Sequence, residues 1–474
     1  MKTPLIDLPI LLFDSLQTVH RRGIVFTFAM VTALVIACPH SVAQQAGPAG
    51  VADGQPSAGS WQQFRGNLGD GTAPQSARPP INWTEQSYKW RTELPGRGWS
   101  SPVYADGRIW VTSAIDTRAS EEEIKRKLEG VDFPQIKTAA SSIEFHALCI
   151  DLESGSLLHD IVLGKSIDTK PINPMNSYAS PTAAISGGMV VCHFGNYGTW
   201  CLDAKTGKVQ WTKSLVVDHS VGPGSSPVIV DDLVIVVCDG TDQQYITALD
   251  LKTGAEVWKT FRPPITAENG EFQKAYSTPV LTELNGQRQL VIPGAQWIAG
   301  YDPRDGTELW RTDYGPGYSV TPMVIHVGET LVFCTGYDLN EFVGIRVSGL
   351  GEQSAESILW RTRSAPAMSS PVRSGDLIYS VNDEGVLVCL DATTGEYRNR
   401  KRALPKVSAS PLLANGHLYF FSRDGAGMVI RCDPEMEIVT ELDMGSPVYA
   451  SPAPVGNDLL IRTQKEIIRI SDSK

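Results

Sequence analysis

Histidine is scarce in this chain, with 8 in 474 residues, and no H-x-x-x-H or H-E-x-x-H spacing occurs, which removes the zinc sites that such spacing builds on one helix face. No G-x-S-x-G elbow and no phosphate-cradling P-loop is present, so the hydrolase and nucleotide-binding chemistries that need them are excluded. Lys and Arg number 41 against 52 Asp and Glu, for a net charge of −11, and no basic stripe offers phosphate contacts; this argues against a nucleic-acid partner. The apolar run at 24–37 is shorter than the roughly 20 residues that a membrane-spanning helix needs.

What the chain does hold is a repeat. Residues 225–258, SSPVIVDDLVIVVCDGTDQQYITALDLKTGAEVW, contain three β-branched runs of strand length, separated by turn clusters, with a fourth strand starting at Trp258. A hydroxyl residue followed by proline opens such a unit eight times, at Ser101, Ser180, Ser226, Thr278, Thr321, Ser370, Ser410 and Ser451. An aspartate-led turn ending in glycine recurs at Asp151, Asp203, Asp250, Asp302 and Asp391. Trp follows eight residues later at Trp211, Trp258 and Trp310, and Trp360 occupies the corresponding strand of the fifth unit. The pattern predicts an all-β protein, an eight-bladed β-propeller of four-stranded antiparallel blades, with the Trp rings packed between neighbours. The last unit stops without a fourth strand, and KWRTEL at 89–94 is an outer strand with no inner strand before it. This N-terminal strand is expected to close the last blade, which leaves no open sheet edge.

The domain reading has three parts. Residues 1–43 form an export signal: Arg21-Arg22, the apolar run and Ser41-Val42-Ala43 give a charged start, a core and a cleavage site. Val35-Ile36-Ala37-Cys38 is also similar to a lipobox, which would lipidate Cys38, although Pro39 follows directly. Residues 44–60, rich in Gly, Pro, Ala and Ser, read as a flexible leader, and 61–474 as a single propeller. Within it, SEEEIKRKLEG predicts a short helical insertion near 114–142, and the loops 163–177 and 261–275 are also long. Connections between blades and between second and third strands leave a blade on the same face. All three long loops therefore crowd one face, where the central channel opens.

The candidate binding residues stand three before the repeated prolines: Trp99, Tyr178, Tyr276, Met368 and Tyr449 form an aromatic and thioether rim, alternating with Gly224, Ser319 and Ser408. The five repeated aspartates read as turn caps, since one active site needs no five copies. Asp239, Asp338, Asn340, Glu341, Asp383, Glu384 and Asp424 fall in turns on the loop-rich face, and they read as the residues that tight turns require rather than as metal ligands, since no converging set of six to eight oxygens can be assembled from them. His193 and His219 could also reach that face. A two-residue hairpin at Asn196-Tyr197 would set Cys192 opposite Cys201 and permit a disulfide in an exported protein; the competing reading is two free thiols seated in the core.

The alternation of S-P-V, L-D-x-x-T-G and Trp resembles the repeat of the pyrroloquinoline-quinone (PQQ) propellers across nearly the whole mature chain, and WQQFRGNLGDG and LPGRGWSSPV resemble the opening of secreted bacterial PQQ-like repeat proteins. The resemblance implies either of two activities. One is that of a noncatalytic periplasmic or envelope scaffold without a cofactor, similar to the lipoprotein of the outer-membrane β-barrel assembly machinery, binding a protein partner through its loop-rich face. The other is a PQQ-dependent alcohol or sugar dehydrogenase with Ca²⁺. Many of those alcohol dehydrogenases carry adjacent cysteines against the quinone, and this chain has none adjacent. The leading expectation is the scaffold: an exported monomer, periplasmic, outer-membrane-associated or secreted, touching a membrane only through a lipid anchor or its partner. A carbohydrate-binding propeller using the same rim is a third reading.

Overall fold

The structure, a computed structural model, describes residues 59–472. The export signal, Cys38 and nearly all of the leader lie outside the described residues. Eight sheets follow one another along the chain, each an antiparallel meander that runs from an inner strand to an outer one. Blades 1 to 7 begin with the inner strands Val103–Ala105, Ala184–Ser186, Val228–Val230, Val280–Leu284, Ile325–Val327, Val372–Ser374 and Leu412–Ala414. Blade 8 is built from Ala453–Val455, Asp458–Arg462 and Glu466–Ile470, and Tyr88–Glu93 pairs with the last of these as its outer strand. The first strand of the propeller thus closes the last blade. Among the described residues no helix is long and apolar enough to cross a membrane.

Burial follows radius. Second and third strands such as Leu233–Asp239 and Trp297–Tyr301 are buried nearly throughout, because neighbouring blades cover both faces. Outer strands such as Ile358–Arg363 and Tyr397–Arg402 alternate between half-buried and exposed positions, because only one face is covered.

The Trp and turn motifs form one joint. Trp90, Trp211, Trp258 and Trp360 each donate Nε1–H to the next blade, at Leu152 O, Leu251 O, Pro303 O and Ala392 O, over 2.8–3.1 Å. Each acceptor directly follows a repeated aspartate. The glycine of the same turn lies flat against the indole: a Cβ on Gly155, Gly254, Gly306 or Gly395 would fall 2.4–2.6 Å from the ring, and each of these glycines has φ of 70–73°. The aspartates cap their turns; Asp203 Oδ1 accepts from Lys205 N, Thr206 N and Thr206 Oγ1. Trp310 departs from the rule and bonds Gln289 Oε1 within its own blade. The cause is blade 5, whose third-to-fourth connection is not an aspartate turn but a longer excursion that lays Gly351–Glu352 parallel to the outer strand Glu308–Asp313. Blade 4 therefore has five strands rather than the expected four.

The predicted insertion contains a helix, α1, Glu121–Lys127, with Ser120 Oγ accepting Glu123 N as N-cap, acids in the first turn and bases in the last. A 3₁₀ turn, Pro134–Ile136, follows it.

Candidate functional site

A ring of hydroxyl groups defines the channel. In seven of the eight blades the segment leading into the inner strand offers a backbone N–H to a hydroxyl on the next blade: Ser101 to Thr182, Thr182 to Ser226, Ser226 to Thr278, Met323 to Ser370, Ser370 to Ser410, Ser410 to Ser451 and Ser451 to Ser101, at 2.8–3.0 Å. The link from blade 4 to blade 5 is missing because Met323 occupies the hydroxyl position; Ser277 Oγ instead donates to Pro322 O.

This ring corrects the rim. In blades 2 and 5 the ring residues are Thr182 and Met323, and the proline precedes rather than follows them. The position two before the ring residue is therefore Ser180 and Thr321 in these blades, in place of Tyr178 and Ser319. All eight residues so defined, Trp99, Ser180, Gly224, Tyr276, Thr321, Met368, Ser408 and Tyr449, line one pocket of about 350 Å³. Tyr178 does not line it. Its ring is buried between blades 1 and 2, edge-on to Tyr197 with centroids 5.9 Å apart, and its hydroxyl donates to Lys170 O. Of the other rim residues, Trp99 and Tyr449 stack at 3.9 Å with planes 9° apart, and Tyr276 is nearly buried, its hydroxyl donating to His219 O at 2.6 Å.

The pocket is a cup. Its far end is crossed by residues 61–73, which bond Trp61 to Tyr104 in blade 1, Gln62 O to Ile185 N in blade 2, Arg65 Nη2 to Pro371 O in blade 6, and Gly71 O and Ala73 N to Leu413 in blade 7. Phe64, within this crossing, lines the cup. The sequence marked this stretch as ordered, but nothing local in it tells that it traverses the channel.

The mouth is built by the long loops. Phe133 and Ile136 arrive from the insertion in blade 1, Met175 from the loop to blade 2, Phe272 from the loop to blade 4, and Tyr337 from blade 5. Phe133 holds a left-handed φ of 49° and meets Phe272 edge-on, and Phe272 in turn meets Tyr318. Beneath them lies a buried charge cluster. Glu271 accepts from Lys137 at 2.7 Å, from Lys274 at 2.7 Å and from Ser220 at 2.5 Å, which ties the insertion to the connections on both sides of blade 3. Burial would raise the Glu271 carboxyl, but the hydrogen bonds from Lys137, Lys274 and Ser220 outweigh it and hold the group below its ordinary value.

Of the two readings of Cys192 and Cys201, the structure gives the free thiols, because register separates the pair. The turn after His193 holds three residues, Gly195–Tyr197, not two, and so Cys192 faces Trp200 while Cys201 faces Val191. One residue of slip sends the thiols to opposite faces: Cys192 enters the core between blades 1 and 2, Cys201 that between blades 2 and 3, and both are free. A form lacking residues 1–43 is expected to titrate seven thiols when denatured without reductant, and a count of five would restore the bond.

His193 and His219 do not reach the pocket. Both are buried; His193 shares a hydrogen bond with Thr199 Oγ1, and neither nitrogen of His219 has a partner among the described residues.

The sequence profile of a family described as outer membrane protein assembly factor BamB matches residues 117–292 and 294–436. The chain belongs to this family of PQQ-like propeller repeats. No curated protein matches this family member in sequence. Among solved structures, BamB from Moraxella catarrhalis is similar over 80% of this chain and 98% of its own, at 13% identity and a TM-score of 0.54. A europium-containing methanol dehydrogenase matches over 87% of this chain and 89% of its own, at 13% identity and TM-score 0.56. The quinohemoprotein alcohol dehydrogenase from Comamonas testosteroni covers 88% and 81%, at 12% and 0.57. At these identities the likeness is one of fold.

The cup of this propeller does not suit a Ca²⁺–quinone pair. Such a cation needs six to eight converging oxygens, and the one carboxylate lining the cup, Glu271, already faces two ammonium groups. None of the turn residues Asp239, Asp338, Asn340, Glu341, Asp383, Glu384 and Asp424 lines it. Asp239 pairs with buried Arg262 at 3.4 Å, Asp338 accepts from Tyr318, Glu341 pairs with Arg361 and Asp424 with Lys406. Among the described residues no group of three acids, histidines or cysteines could hold a metal ion.

Proposed function

We propose that this protein is a noncatalytic propeller scaffold of the cell envelope that grips a protein partner with its loop-rich face, the cup at the centre of the contact. One observation carries the reading. Around the recess, Phe133, Ile136, Met175 and Tyr337 remain 40–48% exposed on loops from three blades. Apolar side chains gathered at the edge of a pocket are costly in water and are what partner surfaces use as anchors. Membership of the BamB family and the likeness to a solved BamB support an envelope location and a protein partner. The export signal read at 1–43 supports a periplasmic or outer-membrane-associated site of action.

A photo-crosslinking residue placed at 133 or 337 in cells is expected to yield a discrete protein adduct in the envelope fraction, and the same residue at 209, on the outer strand Val209–Lys213, none. Absence of an adduct from both loop positions would overturn the reading. So would saturable PQQ binding with Ca²⁺ and dye reduction dependent on an alcohol or sugar.

A further inference from the structure

The cup has more chemistry than an apolar dent requires. Its floor is closed by the 61–73 crossing, so a chain that enters must stop there rather than thread through. Midway down, Ser410, Ser451, Ser101 and Thr182 line the wall from four consecutive blades. Each of these hydroxyl oxygens accepts a backbone N–H, and none donates to any described residue, so four O–H protons from buried side chains are left for whatever fills the cup. On the opposite wall Lys274 spends two of its three N–H groups on Glu271, at 2.6 Å to its carbonyl and 2.7 Å to Oε2. The cluster of Lys137, Lys274 and Glu271 carries two positive charges and one negative, all at most 6% exposed. Burial lowers the Lys274 ammonium below its ordinary value, and the neighbouring Lys137 contributes to this. Lys274 and Glu271 line the recess, and Lys137 stands behind them as the surplus positive charge; with the hydroxyl donors this favours an anionic ligand group, and the rim of Trp99, Tyr276, Tyr449 and Met368 favours a large apolar body attached to it.

We infer that the cup receives the C-terminal residue of an extended segment of the partner, its bulky side chain among the rim rings and its terminal carboxylate at the level of the free hydroxyl protons, in the field of the surplus ammonium. A volume of about 350 Å³ is enough for one such residue. The inference rests on the partner-binding function proposed above.

The test uses two peptides, acetyl-Gly-Ser-Phe as the free acid and as the C-terminal amide, titrated against the mature protein by Trp fluorescence, since Trp99 stands in the rim. The free acid is expected to saturate, and the amide to bind about tenfold or more weakly, as loss of a charge-assisted contact requires. Raised salt should weaken the acid alone. Lys274→Met should abolish the difference between acid and amide, and Lys274→Arg should keep it. If Lys274→Met fails to fold, the salt dependence of the unaltered protein decides. Equal affinity for the two peptides, or binding of neither, overturns the inference. A crosslinked adduct at 133 and 337 that persists alongside that result leaves the scaffold function standing, whereas loss of the adduct removes both.

Discussion

Glu271→Ala is expected to destabilise the protein by about 3–5 kcal/mol, the range for removing one partner of a buried ion pair. The size follows from what stays behind. Lys137 and Lys274 are both buried and both 2.7 Å from the Glu271 carboxylate, so its loss leaves two ammonium groups facing each other out of water. Ser220 loses its acceptor as well. The damage should be local first: Lys137 belongs to the insertion that carries Phe133, and without its anchor the segment after α1 should become the earliest site of limited proteolysis. Glu271→Gln keeps the shape and removes the charge, and should cost nearly as much; a loss below about 1 kcal/mol in urea unfolding, the level of an exposed pair, would show that water reaches the cluster. Replacing all three residues by apolar ones of similar volume should recover much of the loss, because the pair's desolvation penalty disappears with it.

The second large effect is on acid stability. Burial, with repulsion from His219, lowers His193 to about 3, and burial lowers His219 to about 4. In the unfolded chain both titrate near their ordinary value of about 6.5. As pH falls below that value the unfolded state takes up protons that the native state refuses, so stability is full above about pH 6.5 and is lost on the way down to about pH 4. At pH 5 the two histidines together remove about 4 kcal/mol relative to pH 7.5. Asp239 opposes them. Burial raises it to about 6 despite Arg262, so the native state binds this proton first and gains stability between about pH 6 and pH 4, about 1 kcal/mol at pH 5. The net expectation is a loss of about 3 kcal/mol between pH 7.5 and pH 5, read from urea midpoints. His193→Gln should remove close to half of the histidine contribution. A midpoint that does not move over this range would mean that the two imidazoles are protonated in the native state.

The blades were legible in the sequence because each is stated locally and then repeated. Asp250, Gly254 and Trp258 lie within nine residues of one another, and the turn, the bare glycine surface and the indole that covers the next such surface recur with that spacing. The fold needs no single long-range guess when the same short-range statement is made many times. The rim was legible only in part. Counting back from proline works where proline follows the ring hydroxyl and fails in blades 2 and 5, where Pro181 and Pro322 precede the ring position. The two-residue offset preserves the strand's alternation, so no break in pattern betrays it, yet it puts Ser180 in the cup and sends Tyr178 into the wall. The possible Cys192–Cys201 bond is removed for the opposite reason, leaving the free thiols that were its alternative: a one-residue difference in turn length reverses the face of every side chain beyond it.

Sequence alone, then, determined what repeats: an all-β chain, eight blades, the Trp joint between them, the aspartate turn caps, and the closure of the last blade by the first strand. These follow from strand alternation and turn stereochemistry, which act over a few residues. Tertiary structure decided what meets once. Lys137 reaches Glu271 across 134 positions in sequence, Arg65 reaches Pro371 across 306, and the hydroxyl of Ser101 takes the N–H of Ser451 across 350. The floor, the charge cluster and the aligned hydroxyl protons of the cup come from these contacts. Each exists only because ring closure brings distant blades around one axis, a geometric consequence that no local pattern encodes.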